Sequence, residues 1–242
     1  MALDLIYADW PAPANVQAFT TTRAGGVSEG AYRGLNLATH VGDDGGRVQR
    51  NRERLQRLAK LPQAPQWLHQ CHGKRVCHLP AGSTADCDAA YADRAGSVCA
   101  VLTADCLPLL VCNRDGDEVA AIHAGWRGLH AGVIEACISG FNSPTSQLLV
   151  WLGPAIGPQA FEVGRDVFEV FCQHNAGHSN AFVQTAAGHW RCDLYRLARN
   201  VLQTLGVGAV YGGDFCTFSD SARFYSYRRD GVTGRMVSLI WC

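Results

Sequence analysis

The sequence predicts a mixed α/β fold of the α+β kind, with mostly mixed and antiparallel sheets. Strand-like segments outnumber helical ones, several pair with their sequence neighbours, and no regular strand–helix–strand series appears. At 242 residues and 48% hydrophobic content the chain has enough apolar mass for a substantial core. Its 17% charged share lies below the usual quarter or so and leaves little surface for tails, so one domain spanning residues 1–242 is expected.

The elements follow in chain order. "NVQAFTTT" (Asn15 to Thr22) alternates and is β-branched enough for a strand, followed by the glycine-punctuated "RAGGVSEGAYRG". "GRVQRNRERLQRLAK" spaces Val48, Leu55 and Leu58 as one face of a helix. "QWLHQ" and "KRVCHL" read as strands around a turn at His72-Gly73. "LTADCLPLLVCNRDGDEVAAIHAGWRG" reads as a hairpin centred on Asp115-Gly116, because Asp-Gly readily supplies the positive φ of a tight turn. Leu129, Val133, Ile134, Cys137 and Ile138 then recur at three and four, the spacing of one amphipathic helix. "LLVWLG" is a buried strand. Asp193 caps a helix carrying Leu194, Leu197, Val201, Leu202 and Leu205, which Gly206 ends. "FYSYRRDGVTGRMVSLIW" reads as a final hairpin.

Charge and composition exclude several functions. The 21 basic and 21 acidic residues balance, and the one arginine-rich run, Arg47 to Arg57, spreads its charge round a helix instead of clustering it as a nucleic-acid binder does. No stretch approaches the ~20 apolar residues of a membrane span. "MALDLIYADWPAPA" lacks the basic start and apolar run of a signal peptide. The 11 cysteines are odd in number and irregularly spaced, so free thiols in a reducing cytoplasm are expected.

The chemistry centres on the hairpin. Its two strands bring Cys106 and His123 to the same end, within a two-residue offset, although Pro108 marks an edge or a bend near Cys106. His72 in "WLHQCHGKRV" offers a third donor. One cysteine and two histidines make a three-ligand set that leaves a fourth position open, the arrangement of catalytic zinc. The same residues also fit a Cys–His nucleophile pair, or buried structural residues, and spacing alone leaves the three readings open. No G-x-G-x-x-G or Walker-type loop is present, which argues against a dinucleotide or P-loop enzyme.

Eight segments in order resemble the YfiH family, also called the laccase-domain or multicopper polyphenol oxidoreductase-like family and now described as purine nucleoside phosphorylases. They are "TTRAGGVSEGAYRGLNL", "NRERL", "WLHQCHGKRV", "CDAAYAD", "TADCLPLL", "AAIHAGWRG", "LGPAIGPQAFEVG" and "DFCTFSDSARFYSYRRDGVTGRM". The resemblance implies a four-layer α/β/β/α sandwich and a metal, zinc or copper, held by His72, Cys106 and His123. It also implies phosphorolysis of adenosine, inosine and methylthioadenosine, together with adenosine deamination, so purine nucleosides and phosphate are the expected ligands. Deamination suits an open zinc site, where water becomes nucleophilic enough to attack C6 of adenine.

Within that frame Asp88 and Asp105 are the candidates for proton transfer, alongside Cys106 in the catalytic group. Arg23, Arg50, Arg127 and Arg228 are candidates for holding phosphate, since guanidinium forks suit it. Asn36 is a candidate for bonding ribose or base, and Trp126 for stacking on the purine. The backbone of "GPAIGP" (Gly153 to Pro158) either faces an anion or forms a structural turn. The laccase label fits poorly, because the nine histidines include no His-x-His pair from which a trinuclear copper cluster is built. Copper at this site would support only weak polyphenol oxidation. The competing enzyme reading is a cysteine or zinc amide hydrolase that edits a cell-wall precursor.

Overall fold

A computed structural model describes residues 2–173 and 175–242. Strands and helices are numbered in chain order. One sheet has four strands, in the order β1 (Leu5–Tyr7), β2 (Gln17–Thr21), β13 (Met236–Trp241) and β5 (Cys99–Thr103), all antiparallel. A second has six, ordered β12 (Ala209–Gly212), β8 (Leu148–Leu152), β6 (Leu107–Asn113), β7 (Val119–Ala124), β4 (Ala89–Ala92) and β3 (Val76–His78). Its two outer pairs are parallel and its inner pairs antiparallel. A small antiparallel sheet joins β10 (Phe182–Ala186), β11 (His189–Cys192) and β9 (Glu162–Gly164). The helices are α1 (Gly45–Leu58), α2 (Trp126–Ala131), α3 (Val133–Ile138), α4 (Arg165–Cys172), α5 (Leu194–Thr204) and α6 (Tyr227–Asp230). The mixed α+β reading of the sequence holds.

Side-chain alternation along the strands divides the apolar residues among cores on either face of the two larger sheets. Leu110, Cys112, Ala121 and Trp151 of the six-stranded sheet meet Ala18, Val101 and Ile240 of the four-stranded one. On the opposite face of the larger sheet, Leu109, Val111 and Ile122 pack against Val133 and Ile134 of α3 and Leu197 and Val201 of α5. On the opposite face of the smaller sheet, Phe19, Ala100 and Leu239 pack against Leu55 of α1 and the loop residues Leu35 and Leu37.

The central hairpin forms as its turn chemistry dictates. Gly116 takes φ +76°, and the Asn113 side-chain oxygen accepts from the backbone N–H groups of Gly116, Asp117 and Glu118. Asp193 caps α5 by accepting from the Arg196 N–H at 2.9 Å. Five expectations need correction. Gln66–Gln70 is not a strand; the Gln70 side-chain amide instead pairs with both backbone groups of Leu102. The helix expected through Ile138 is two helices, split at Gly132, whose φ of +88° a helix cannot propagate. The C-terminal segment is no hairpin, because "YRRD" forms α6 and β13 inserts between β2 and β5. Pro108 lies in the central strand β6, where its carbonyl accepts from Gly153 N–H at 2.9 Å. Finally, Cys77 and Cys87 form a disulfide across the neighbouring β3 and β4 entry, so the thiols are not all free.

Glu118 secures the far end of the hairpin. Its buried carboxylate accepts from Tyr91 Oη at 2.5 Å, from the N–H groups of Asn142 and Ser143 at 2.7 and 2.9 Å, and from the Ser143 hydroxyl. Replacing it strands several buried donors, so Glu118→Ala should destabilise the fold by about 3 kcal/mol. Urea unfolding measures this, and a loss below about 1 kcal/mol would show that the network contributes little net stability.

Candidate metal centre

His72, Cys106 and His123 meet at one rim of the six-stranded sheet. The candidate ligand atoms all lie within 4.8 Å of one another, with Cys106 Sγ 3.7 Å from His72 Nε2. Leu107 pairs with Ala124 and Pro108 with His123, so the register continued by one residue sets Cys106 opposite Gly125. That is the two-residue offset expected from the hairpin.

Each ligand is held by a specific local device. Asp88 is wholly buried at the entry to β4, and its carboxylate accepts from His123 Nδ1 at 2.7 Å. The same carboxylate accepts from three successive backbone N–H groups, Cys71, His72 and Gly73, at 3.2, 2.9 and 2.7 Å. The loop carrying His72 is thereby wrapped round one anion, with His72 itself at φ +63°. Because an ionised carboxylate only accepts, Nδ1 of His123 carries the proton and Nε2 is left for the site.

Cys106 follows Asp105, whose φ of +87° turns the chain into β6. Asp105 is clamped from both sides. Its carboxylate accepts from Thr217 Oγ1 at 2.6 Å, Ser226 Oγ at 3.0 Å and the Arg228 N–H at 2.7 Å. Its carbonyl accepts from the Ile156 N–H at 2.9 Å. An aspartate in this backbone region is held by its surroundings. At Gly125, a Cβ would stand 2.9 Å from Cys106 Sγ and 3.0 Å from His72 Cδ2. Glycine is what lets the ligands close up.

Electrostatics prepare the same site. Burial pushes the Cys106 thiol up, but His123 and His72 outweigh it and bring it down to about 6. Burial lowers His123, yet the Cys106 charge and the Asp88 hydrogen bond raise it to about 9. Without metal, the site is a thiolate beside an imidazolium. Two imidazole nitrogens and a thiolate are a chemically suitable donor set for zinc or copper, and the glycine-lined approach between them fits an ion.

A cavity of about 560 Å³ opens onto this cluster, within the range of small-molecule sites. Among the sequence candidates it gathers Cys106, His72, His123, Asp105, Trp126, Arg127 and Arg228. Arg127 lies 4.4 Å over the Trp126 ring. Arg228 donates to the Glu162 carbonyl and sits 5.1 Å over Phe161.

Other candidates lie outside its wall. Arg23 stacks on Tyr225 at 4.7 Å and donates to the Ser221 carbonyl, beside a separate surface pocket. Arg50 sits on the exposed side of α1. Asn36 is buried, and its amide bonds Ala38, Asp43 and the Arg235 N–H. Its side-chain oxygen holds the backbone of Arg235. Asp88 also falls outside: burial raises its carboxyl, but His123 and the loop amides outweigh this and hold it at about 2. A buried carboxylate so engaged holds the His123 ring and the His72 loop in place. The "GPAIGP" amides are equally committed, Gly153 to Pro108, Ala155 to Tyr195, Ile156 to Asp105 and Gly157 to Cys216. That loop is structural.

Sequence reading misses His40 and Arg235, which also line the cavity. Arg235 is visible in sequence only as part of the segment ending in "TGRM", and His40 only by following "GLNL" closely.

Asp88→Asn should weaken metal binding by about 10-fold to 100-fold, since it removes the acceptor that orients His123. Competition against a chromophoric chelator reads this, and unchanged affinity would dismiss the positioning role. In metal-free protein, Cys106 alkylation should be fast above pH 6 and slow as pH falls through about 6, where the thiolate takes up its proton. Bound metal should block the reaction, and mass spectrometry of the Cys106 peptide follows both.

Residues 17–242 match the family described as multi-copper polyphenol oxidoreductase laccase. A purine nucleoside phosphorylase of Pseudomonas aeruginosa is 52% identical over 234 residues, covering 96% of each chain. The purine nucleoside phosphorylase YfiH of Escherichia coli strain K12 is 51% identical over 239 residues, covering 98% of each. Among solved structures, Neisseria meningitidis protein NMB0706 superposes with a TM-score of 0.94 at 51% identity, covering 98% of both chains. YlmD from Geobacillus stearothermophilus gives a TM-score of 0.89 at 32% identity, covering 96% of this chain and 93% of its own. With a family model matching almost its whole length and relatives sharing half its residues, the chain belongs to the YfiH family of laccase-like proteins.

Proposed function

We propose that this chain is a zinc-dependent purine nucleoside phosphorylase acting on adenosine, inosine and methylthioadenosine, and that it also deaminates adenosine. One observation carries the reading. The cavity at the His72–Cys106–His123 cluster is also lined by Arg127 and Arg228, and neither forms an ion pair with a carboxylate among the described residues. Unpaired guanidinium groups beside a three-donor cluster suit an anionic co-substrate. The names of the relatives, purine nucleoside phosphorylases at 46–52% identity, support the same class of reaction.

In phosphorolysis a phosphate oxygen bonds to C1′ of the ribose while the bond from C1′ to the purine nitrogen breaks, and the departing base takes up a proton. Arg127 and Arg228 would hold the phosphate against the sugar. Trp126, Leu102 and Phe161 supply apolar wall for the base. Asp105 is the carboxylate lining the cavity, but each of its oxygens already accepts a hydrogen bond, so its contribution is to fix the Cys106 turn and α6. His72, Cys106 and His123 would hold zinc, which supplies Lewis acidity when bound. The three-ligand set and the absence of His-x-His pairs favour zinc over a copper cluster.

A second reading has its own support. The thiolate–imidazolium pair of Cys106 and His123 is also how a cysteine hydrolase prepares its nucleophile, which suits the editing of a cell-wall precursor. Metal removal separates the two, because a nucleophilic cysteine survives chelation.

The deciding assay is hypoxanthine release from inosine by zinc-loaded protein, with and without phosphate. Release should require phosphate and vanish in Cys106→Ala. Arg228→Gln should raise the phosphate KM by roughly 10-fold or more, the worth of one charged hydrogen-bonding group. Release without phosphate, or release that survives chelation, would overturn the proposal. Ammonia release from adenosine tests the deaminase separately.

A further inference from the structure

Trp126, Phe161 and Tyr227 all line the cavity, and their rings are not equivalent. Trp126 is half-buried, packs against the core of the six-stranded sheet, and carries the Arg127 guanidinium 4.4 Å over its ring. Phe161 is buried in the same core, with Arg228 5.1 Å above it. Both rings already have close neighbours. Tyr227, the first residue of α6, is 60% exposed. Among the described residues it is the one exposed large apolar side chain that lines the cavity.

The backbone around Tyr227 is fixed on both sides. Ser226 Oγ donates to the Asp105 carboxylate at 3.0 Å, and the Arg228 N–H donates to it at 2.7 Å. The Arg229 guanidinium ties the same short helix to the carbonyls of Thr217, Phe218 and Phe224. The ring itself has only one neighbouring cation, Arg235, which also lines the cavity and stands 5.9 Å from the ring centroid. Guanidinium groups that lie on rings elsewhere in the molecule come closer, as Arg52 does over Trp67 at 4.0 Å. The face of Tyr227 that looks across the cavity is therefore uncovered. An aromatic face held in place without a partner leaves apolar area in water, and a flat ligand ring laid on it removes that area.

We infer that Tyr227 is the stacking platform of the cavity: its ring lies flat against the purine of the bound nucleoside, while Trp126 backs the Arg127 guanidinium. The inference rests on the nucleoside reading of the cavity and deepens it, by assigning the base contact to a residue of α6. Asp105 then registers the base platform, the Arg228 backbone and the Cys106 turn against one another.

Steady-state phosphorolysis of inosine by the zinc-loaded protein, with calorimetry of adenosine binding beside it, tests this. Tyr227→Leu should raise the inosine KM about tenfold, within the range of one base–aromatic stack. Its kcat should stay within about threefold, because a stack made equally in the ground and transition states is uniform binding. Tyr227→Phe keeps the ring and should hold KM within about twofold of the unaltered protein. The side chain is exposed, so neither change should move the urea unfolding midpoint. An unchanged KM in Tyr227→Leu would overturn the inference, and so would an equal rise in Tyr227→Phe or a loss confined to kcat. A rise in His40→Leu that Tyr227→Leu lacks would also overturn it, by moving the stack to the imidazole at the cavity wall. If adenosine binds with the same dependence on Tyr227 but inosine is not cleaved, the platform stands and the phosphorylase reading falls.

Discussion

The buried carboxylate of Asp88 is the interaction on which the site depends. It accepts a hydrogen bond from His123 Nδ1–H on one side and from three consecutive loop amides, Cys71 to Gly73, on another. A single anion thus sets the tautomer of one candidate ligand, His123, and the backbone shape that presents a second, His72. Burying a charge is costly unless it is fully hydrogen-bonded, and this one is. Its own backbone adds to the frame, because the Asp88 carbonyl accepts from the His123 N–H at 2.7 Å. Loop and strand therefore share one reference point.

Asp105 plays the corresponding part for the third candidate ligand, Cys106. Its left-handed backbone would relax if free, but Thr217, Ser226, Arg228 and Ile156 hold it from segments distant in sequence. The same bonds that place the Cys106 thiol also place α6 and its Arg228 side chain at the cavity. The two aspartates that sequence offers as proton carriers support the candidate metal centre and the wall that carries Arg228.

The cores explain why such precise supports are possible. Both faces of the four-stranded and six-stranded sheets are covered by buried apolar clusters, so the strand ends from which the candidate ligands project are held firmly. The ligands sit where strands end and loops begin, at Cys106 just before β6 and His123 near the end of β7. Rigid strands fix the positions, and short loops supply the chemistry.

What the sequence determined by itself was local. The Asp-Gly turn set the hairpin register and hence the approach of Cys106 to His123, and Asp193 set the start of α5, because turn and cap chemistry act within a few residues. The tertiary structure decided the rest. Asn36 and Arg23, candidates from the motif string, bond the loops around them and lie outside the cavity wall, while Arg235 and His40, which look unremarkable, line it. The disulfide between Cys77 and Cys87 and the insertion of β13 between β2 and β5 likewise depend on packing. A motif records which side chains a family keeps together, but whether an arginine meets a ligand or a carbonyl depends on how far-apart segments pack. Periodicity along one segment carries no record of that.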